Sequence, residues 1–185
     1  FNLVRTSLFK ERGIFDQLVP ASTGIGASNP DQSALAIGAV AMQPLSGDVS
    51  ISAVPSPLQC PAPSYGSSFS RAVELATPGF RKLLISGTAS ITPEGDTAHV
   101  DDAEGQIILT MEVVEAILKS RAMSFQDATR VTAYVSQPEF AGQFEAWCKN
   151  VGLADWPLVC NQADICRDDL LFELELDAVV PEEGG

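Results

Sequence analysis

Acidic and apolar residues alternate near the end of the chain, where residues 170–179 read LLFELELDAV. Successive side chains of a β-strand point to opposite faces, so Glu173, Glu175 and Asp177 share one face. If that face is wet, the three acids are ordinary solvated residues. If it packs against another subunit or domain, a cleft with one acid remains, and burial raises the pKa of that carboxyl. A carboxyl that keeps its proton near neutral pH can act as a general acid.

Two glycine-containing segments are weaker candidates for a binding site. SGTASI (residues 86–91) matches neither GxGxxG nor a P-loop, and Gly87 lies within a predicted strand, so it indicates a β-bulge or close strand packing as readily as a phosphate site. ASTGIG (residues 21–26) is rich in hydrogen-bond donors. Such a loop could bind an anion, but it is more often a plain connector.

Charge and cysteine content exclude several classes of function. The formal net charge is −13, which argues against binding to a phosphate backbone. The four cysteines match no zinc pattern and His99 is the single histidine, so we expect neither a metal site nor a histidine-based catalytic triad. We expect the thiols to be small buried hydrophobes in a reducing compartment.

The sequence also predicts the cellular compartment of the protein. No run approaches the roughly 18 uncharged apolar residues of a membrane span, and the first residues are too charged for a signal peptide. We therefore expect a soluble cytoplasmic protein that binds neither nucleic acid nor membrane. Because the chain begins on Phe1, we expect a fragment, a processed chain or one whose first residues are omitted.

The order of elements predicts an α+β fold. Ile107, Met111, Val114 and Leu118 recur at helical spacing after a capping box at Asp101 and Glu104, and a second amphipathic pattern covers 139–151. From residue 69 the predicted order is ββαβαββ, a mostly buried sheet with two helices on one face. The predicted strands are 69–75, 82–91, 129–136, 158–165 and 169–180.

The first third of the chain predicts a smaller unit. Residues 2–12 read as a short helix, and ALAIGAVAM (34–42) with DVSISAV (48–54) reads as a hairpin. The proline-rich stretch 55–68 then interrupts every periodicity. We predict a partial N-terminal unit with its linker at 1–64 and a fuller domain at 65–185.

The chain resembles a known family at several of these motifs. The ββαβαββ order, SGTASI, VTAYVS, FEAWCKNVG and the terminal acidic strand resemble the Rid (YjgF-like) superfamily, which has a chorismate mutase-like fold. Within it, FSRA, SGTASI, ADICRDDLLFELE and PASTGIG resemble the chorismatase branch, also called pteridine-dependent dioxygenase-like. In that branch the first half is a second, degenerate Rid-like unit, of which this chain would hold the latter part.

The resemblance implies an assembly, a reaction and a set of site residues. It implies a homotrimer with active sites between subunits and a hydrolase that cleaves the enolpyruvyl ether of chorismate, a small-molecule substrate, without metal or redox cofactor. Glu173 matches the family's acid. The residues that we expect to contact the substrate are Arg71, Arg167, Tyr65, Gly87, Thr88 and Cys160.

Two departures from the family keep other functions open. The stretch SPLQCPAPSYGSS before FSRA has no base until Arg71, which favours a catalytically silent small-molecule binder or a structural subunit. The ordinary Rid activity, hydrolysis of enamines and imines, relies on an arginine soon after the proline that opens the penultimate strand. Here Pro157 is followed by Leu158, Val159 and Cys160, so imine deamination is the less supported enzyme hypothesis.

Overall fold

The described residues form one mixed β-sheet and three α-helices. The computed structural model describes residues 2–29, 32–45 and 47–182. Its helices are α1 (Asn2–Glu11), α2 (Ala103–Ser120) and α3 (Pro138–Asn150), and its strands are β1 (Ser50–Val54), β2 (Ala72–Ala76), β3 (Phe80–Ala89), β4 (Ala128–Val135), β5 (Leu158–Gln162) and β6 (Phe172–Pro181). None of the described helices is long and apolar enough to cross a membrane.

The strands form a six-stranded sheet in the order β1-β2-β3-β6-β4-β5. Neighbouring strands are antiparallel except β4 and β5, which run parallel and are joined through α3. From β2 onward the elements follow the order ββαβαββ. The predicted α+β class and strand order are therefore confirmed, and β6 lies at the centre of the sheet between β3 and β4.

Helices α2 and α3 cover one face of the sheet and enclose the main core. The predicted stripe of α2 (Ile107, Met111, Val114 and Leu118) is buried against Leu174 and the other apolar residues of β6. The N-cap of α2 is Asp102, whose carboxylate accepts from the Gly105 N–H at 3.0 Å. The prediction of Asp101 as the cap was wrong by one residue, because Asp101 has a left-handed backbone with φ of 60°.

The predicted hairpin between residues 34–42 and 48–54 is wrong. Residues 34–42 form no strand, and β1 pairs with β2 instead, with Val54 opposite Ala72. Apolar side chains in the 34–42 segment remain exposed, among them Ile37 at 73% and Val40 at 85%. The apolar pattern of residues 34–42 indicated an extended chain. A strand must also pair with the edge of another strand, and the free edge of β2 is taken by β1.

Candidate active site

Glu173 is a buried carboxyl on the face of the sheet opposite α2 and α3, which we call the helix-free face. It is directly opposite Ala89 of β3 and Tyr134 of β4, and only 5% of its surface is exposed. Burial, and then the charge of Glu175, raise the pKa of Glu173 to about 7. Within the described part of the chain no group donates a hydrogen bond to this carboxyl. Glu173 can therefore hold a proton near neutral pH and present it to a ligand.

A β-bulge in β3 makes room for the Glu173 side chain. The register between β3 and β6 shifts between Ile85 and Thr88, so Gly87 lies in the bulge. A Cβ atom at position 87 would overlap Glu173 Oε1 and would lie 2.9 Å from Thr23 Cγ2. Only glycine has no side chain that would fill this space. The β-bulge that the sequence offered as one explanation of Gly87 is present, and it also positions Glu173.

Residues 19–26, which we call the strap, cross the sheet beside Glu173. The Gly87 N–H donates to Thr23 Oγ1 at 3.0 Å, and the Ser22 N–H donates to Ser86 Oγ at 3.0 Å. At one end Ser70 holds the strap through its N–H and hydroxyl, and at the other end Gly26 and Asp164 exchange two backbone hydrogen bonds of 2.8 Å. The strap thereby excludes water from the Glu173 carboxyl on the side of Thr23.

Two guanidinium groups lie against one tyrosine ring near the proline-rich linker. The Cζ atoms of Arg71 and Arg167 are each 5.3 Å from the centre of the Tyr65 ring. Arg71 is only 4% exposed and donates two hydrogen bonds to the carbonyl oxygen of Cys60. Among the described residues neither arginine forms an ion pair with an acid. A buried or stacked guanidinium without a carboxylate partner is suited to binding an anionic ligand.

The loop before β6 connects this arginine pair to Glu173. Desolvation and the charge of Glu173 raise the pKa of the Cys166 thiol, while Arg167 opposes the shift. Burial likewise raises the pKa of Tyr65, which also lies within electrostatic range of Cys166. Glu173, Cys166, Arg167 and Tyr65 are therefore neighbours in one region of the molecule.

A buried glutamine fixes this loop to α2. The Gln106 amide donates to the carbonyl oxygens of His99 and Asp169 and accepts from the Leu171 N–H at 2.7 Å. Thr97 donates to the Asp169 carboxylate at 2.9 Å. These bonds hold the chain just before the start of β6, so the positions of Arg167 and Glu173 depend on α2.

The other two acids of β6 form ion pairs with cations from neighbouring strands. Arg130 donates to Glu175 at 2.5 Å and to Asp177 at 2.8 Å, and Lys82 lies 3.0 Å from the second Asp177 oxygen. Although Asp177 is only 6% exposed and desolvation opposes its ionisation, hydrogen bonds from Arg130 and Lys82 lower its pKa. These two acids are therefore ion-paired rather than merely solvated, and Glu173 is left without a cation.

Two of the predicted contact residues lie apart from this cluster. Thr88 is opposite Leu174 on the helix-covered face, is fully buried, and donates its hydroxyl to the Ser86 carbonyl oxygen. Cys160 is opposite Ala133 and packs against the helical core, with Cys148 of α3 nearby. The structure brings Glu173, Gly87, Tyr65, Arg71 and Arg167 to the helix-free side, and it does not bring Thr88 or Cys160 there.

Sequence reasoning missed three neighbours of Glu173: Thr23, Tyr134 and Cys166. Thr23 lies in a loop without periodicity, so no pattern connected it to β3. Tyr134 shares a face with Arg130 by alternation, and the pairing of β4 with β6 was the missing information. Cys166 precedes Glu173 by seven residues, but the loop between them has no periodicity from which their closeness could be predicted.

Comparison with known proteins identifies the fold. No protein-family model matches the chain. A crystal structure of a chorismatase superposes with a TM-score of 0.71 at 23% identity, covering 96% of this chain and 56% of that one. A member of the YjgF/YER057c/UK114 family from Mycobacterium tuberculosis superposes with a TM-score of 0.55 at 21% identity, covering 71% of this chain and all of its own. The protein has a Rid-like fold.

A curated relative supports the particular branch. The chain is 29% identical to a 3-hydroxybenzoate synthase from Streptomyces hygroscopicus over 185 residues, which cover 87% of this chain and 51% of the synthase. The resemblance to the chorismatase-like branch of the Rid superfamily is thereby confirmed. The chain spans about half the length of the curated relative.

Proposed function

We propose that the protein is a chorismatase-like hydrolase that cleaves the enolpyruvyl ether of chorismate or of a related small carboxylate. The observation that carries the proposal is Glu173, a buried carboxyl with a pKa raised to about 7 that forms no ion pair among the described residues. The unpaired guanidinium groups of Arg71 and Arg167 supply the local positive charge that an anionic substrate needs in a protein of net charge −13. The similarity to a 3-hydroxybenzoate synthase supports the same substrate class.

The proposed reaction needs only acid catalysis and water. Glu173 donates its proton to the terminal methylene carbon of the enol ether, and the adjacent ether carbon becomes an oxocarbenium ion. Water, or a neighbouring hydroxyl of the ring, adds to that carbon and returns a proton to the Glu173 carboxylate. After addition of water, the resulting hemiketal collapses: its hydroxyl proton is lost, the bond from the former ether carbon to the ring oxygen breaks, that oxygen takes up a proton, and pyruvate and a cyclohexadiene diol are released. After addition of the ring hydroxyl, pyruvate keeps the oxygen of that hydroxyl. The ring C–O bond of the hydroxyl and the bond from the former ether carbon to the ether oxygen then both break, a ring proton is lost, the ether oxygen takes up a proton, and hydroxybenzoate is left. The strap assists because exclusion of water favours the protonated form of Glu173 in the free enzyme.

The test is the release of pyruvate from chorismate, followed with lactate dehydrogenase and NADH. We expect pyruvate to appear in step with the loss of chorismate. Hydrolysis of 2-aminoacrylate without turnover of chorismate would instead support the imine deaminase, and activity on neither substrate would support a silent binding protein. The residues after Pro157 favour the first outcome over the second, because β5 carries Leu158, Val159 and Cys160 where the deaminase arginine would lie.

A homotrimer remains part of this proposal. Exposed apolar side chains in the 32–45 segment, such as Ile37 and Val40, offer surface that an assembly could cover. The assay is therefore run on protein whose oligomeric state has been measured by sedimentation.

Replacement of Arg167 tests the anion-binding part of the proposal. We expect Arg167→Gln to raise KM for chorismate about 10- to 100-fold with a smaller change in kcat, because a charge-assisted bond to a substrate carboxylate is lost in ground state and transition state alike. Arg12→Gln is the matched control, since it removes the same charge from a side chain that is 68% exposed. Equal KM values for the two variants would contradict a role of Arg167 in binding.

A further inference from the structure

Among the described residues, the helix-free face holds a row of three acids and two cations, whose charges balance only while Glu173 keeps its proton. On β6 it carries Glu173, Glu175 and Asp177, and the cations that contact this row are Arg130 and Lys82. Two cations pair with two of the three carboxylates. The third carboxylate, Glu173, would add an uncompensated negative charge if it ionised.

Glu175 accepts hydrogen bonds from two donors on β4. Arg130 Nη1 donates to Glu175 Oε1 at 2.5 Å, and the Tyr134 hydroxyl donates to the same oxygen at 3.3 Å. Tyr134 lies directly opposite Glu173, so its hydroxyl could have been directed to Glu173. Because the Tyr134 proton points to Glu175, Glu173 receives no stabilising donor from β4.

Glu173 and Glu175 are close enough to interact strongly. Residues two apart on a strand share a face and lie about 7 Å apart along it. At that distance the charge of a salt-bridged carboxylate whose side chain is only 15% exposed opposes the ionisation of a neighbouring buried carboxyl.

We propose that Glu175 is a positioning residue for Glu173: salt-bridged to Arg130 and hydrogen-bonded by Tyr134, it keeps the proton on its neighbour. The inference rests on the proposed role of Glu173 as the acid of the reaction. Glu175 itself does not touch the substrate. Its effect is to maintain the protonated, donating form of Glu173 at neutral pH.

The remaining groups around Glu173 do not supply this effect. The Tyr134 phenol has a pKa raised to about 12, and the Cys166 thiol has a raised pKa, so both are neutral near pH 7. Arg167, on the same loop as Cys166, is a cation and would favour ionisation of Glu173. The neighbours from β3 and the strap, namely Gly87, Ala89 and Thr23, do not titrate.

The test is the titration of Glu173 in protein labelled with ¹³C at the glutamate carboxyl carbons, with the resonance assigned by its absence in Glu173→Gln. We expect a midpoint near 7 in the wild type and a midpoint lower by about one unit in Glu175→Gln. Glu139→Gln, which removes an exposed glutamate from α3, is the control and should leave the midpoint unchanged. An unchanged midpoint in Glu175→Gln, or an equal shift in the control, would overturn the proposal.

A double variant separates the charge of Glu175 from the release of its partner. Glu175→Gln frees Arg130, which could then pair with Glu173 and lower the midpoint by a different route. In Glu175→Gln/Arg130→Gln that route is closed, but the loss of the Arg130 cation by itself raises the midpoint. The double variant is therefore compared with Arg130→Gln, and we expect the double variant to have the lower midpoint. Equal midpoints in these two variants would overturn the proposal.

This titration uses no substrate, so its outcome is independent of whether chorismate is cleaved. If the proposed function is correct, the pH above which kcat/KM falls should shift with the titration midpoint in each variant. A shifted titration with no activity on chorismate would contradict the proposed function while supporting the positioning role. Activity on chorismate with an unshifted titration midpoint would contradict the positioning role while supporting the proposed function.

Discussion

Replacing Glu173 with glutamine is expected to lower pyruvate release from chorismate by about 10²- to 10⁴-fold, which is the usual contribution of a general acid. Glutamine has nearly the same size but has no proton of comparable acidity. The variant should fold, because the carboxyl makes no hydrogen bond within the described residues that the amide would break. The measurement is kcat/KM with the coupled pyruvate assay. Glu112→Gln, on an exposed position of α2, is the matched control and should keep full activity.

The same variant should change how stability depends on pH. The folded protein keeps the Glu173 proton up to about pH 7, whereas the unfolded chain releases it near the ordinary glutamate pKa of 4.5. Between these two values the folded state binds more protons, so the free energy of unfolding falls as the pH rises, by about 3 kcal/mol in total from this group. Urea unfolding at pH 5 and pH 8 should show this loss in the wild type and a correspondingly smaller loss in Glu173→Gln. Equal losses in both proteins would contradict the raised pKa.

Replacing Gly87 with alanine is expected to disturb both the acid and the strap. The added Cβ would overlap Glu173 Oε1 and approach Thr23 Cγ2, so the carboxyl or the strap must move. Overpacking of this kind costs about 1–3 kcal/mol of unfolding free energy, and displacement of the acid should lower kcat/KM by at least about tenfold. Thermal unfolding and the pyruvate assay measure the two effects.

The chain offers a glycine with open surroundings as the control for this experiment. Gly142 lies in α3, and an added Cβ there meets no atom within 4 Å. Gly142→Ala should therefore be neutral or stabilise the helix by roughly 0.5–1 kcal/mol. Combining Gly87→Ala with Glu173→Ala removes the colliding carboxylate, so part of the lost stability should return. A Gly87→Ala protein as stable and active as Gly142→Ala would show that position 87 does not confine the acid.

Much of the sheet and its helices could be predicted because the spacing of apolar residues indicates which side chains are buried. The stripe of Ile107, Met111, Val114 and Leu118 predicted α2, and the alternation around Leu174 and Leu176 predicted which side of β6 meets the helices. The same information could not place β1. Its alternation indicated a strand, but strand pairing depends on which edge is free in three dimensions, and that edge belongs to β2.

The candidate site was predictable only in part. Alternation grouped Glu173 with Glu175 and Asp177, and the family resemblance selected Glu173. What distinguishes Glu173 physically is that Arg130 and Lys82 reach the other two acids, and those contacts depend on the register between strands that are distant in sequence. The sequence predicts the strap only as a possible connector, because a loop without periodicity does not indicate which part of the sheet it crosses.

The central claim is that Glu173 works as a protonated acid, and the pH dependence of kcat/KM for chorismate tests it most directly. We expect a plateau at lower pH and a tenfold fall per pH unit above about 7, as the free enzyme loses the Glu173 proton. Activity that rises with pH through 7 would show that the ionised form of the group is the active one, and would contradict the account.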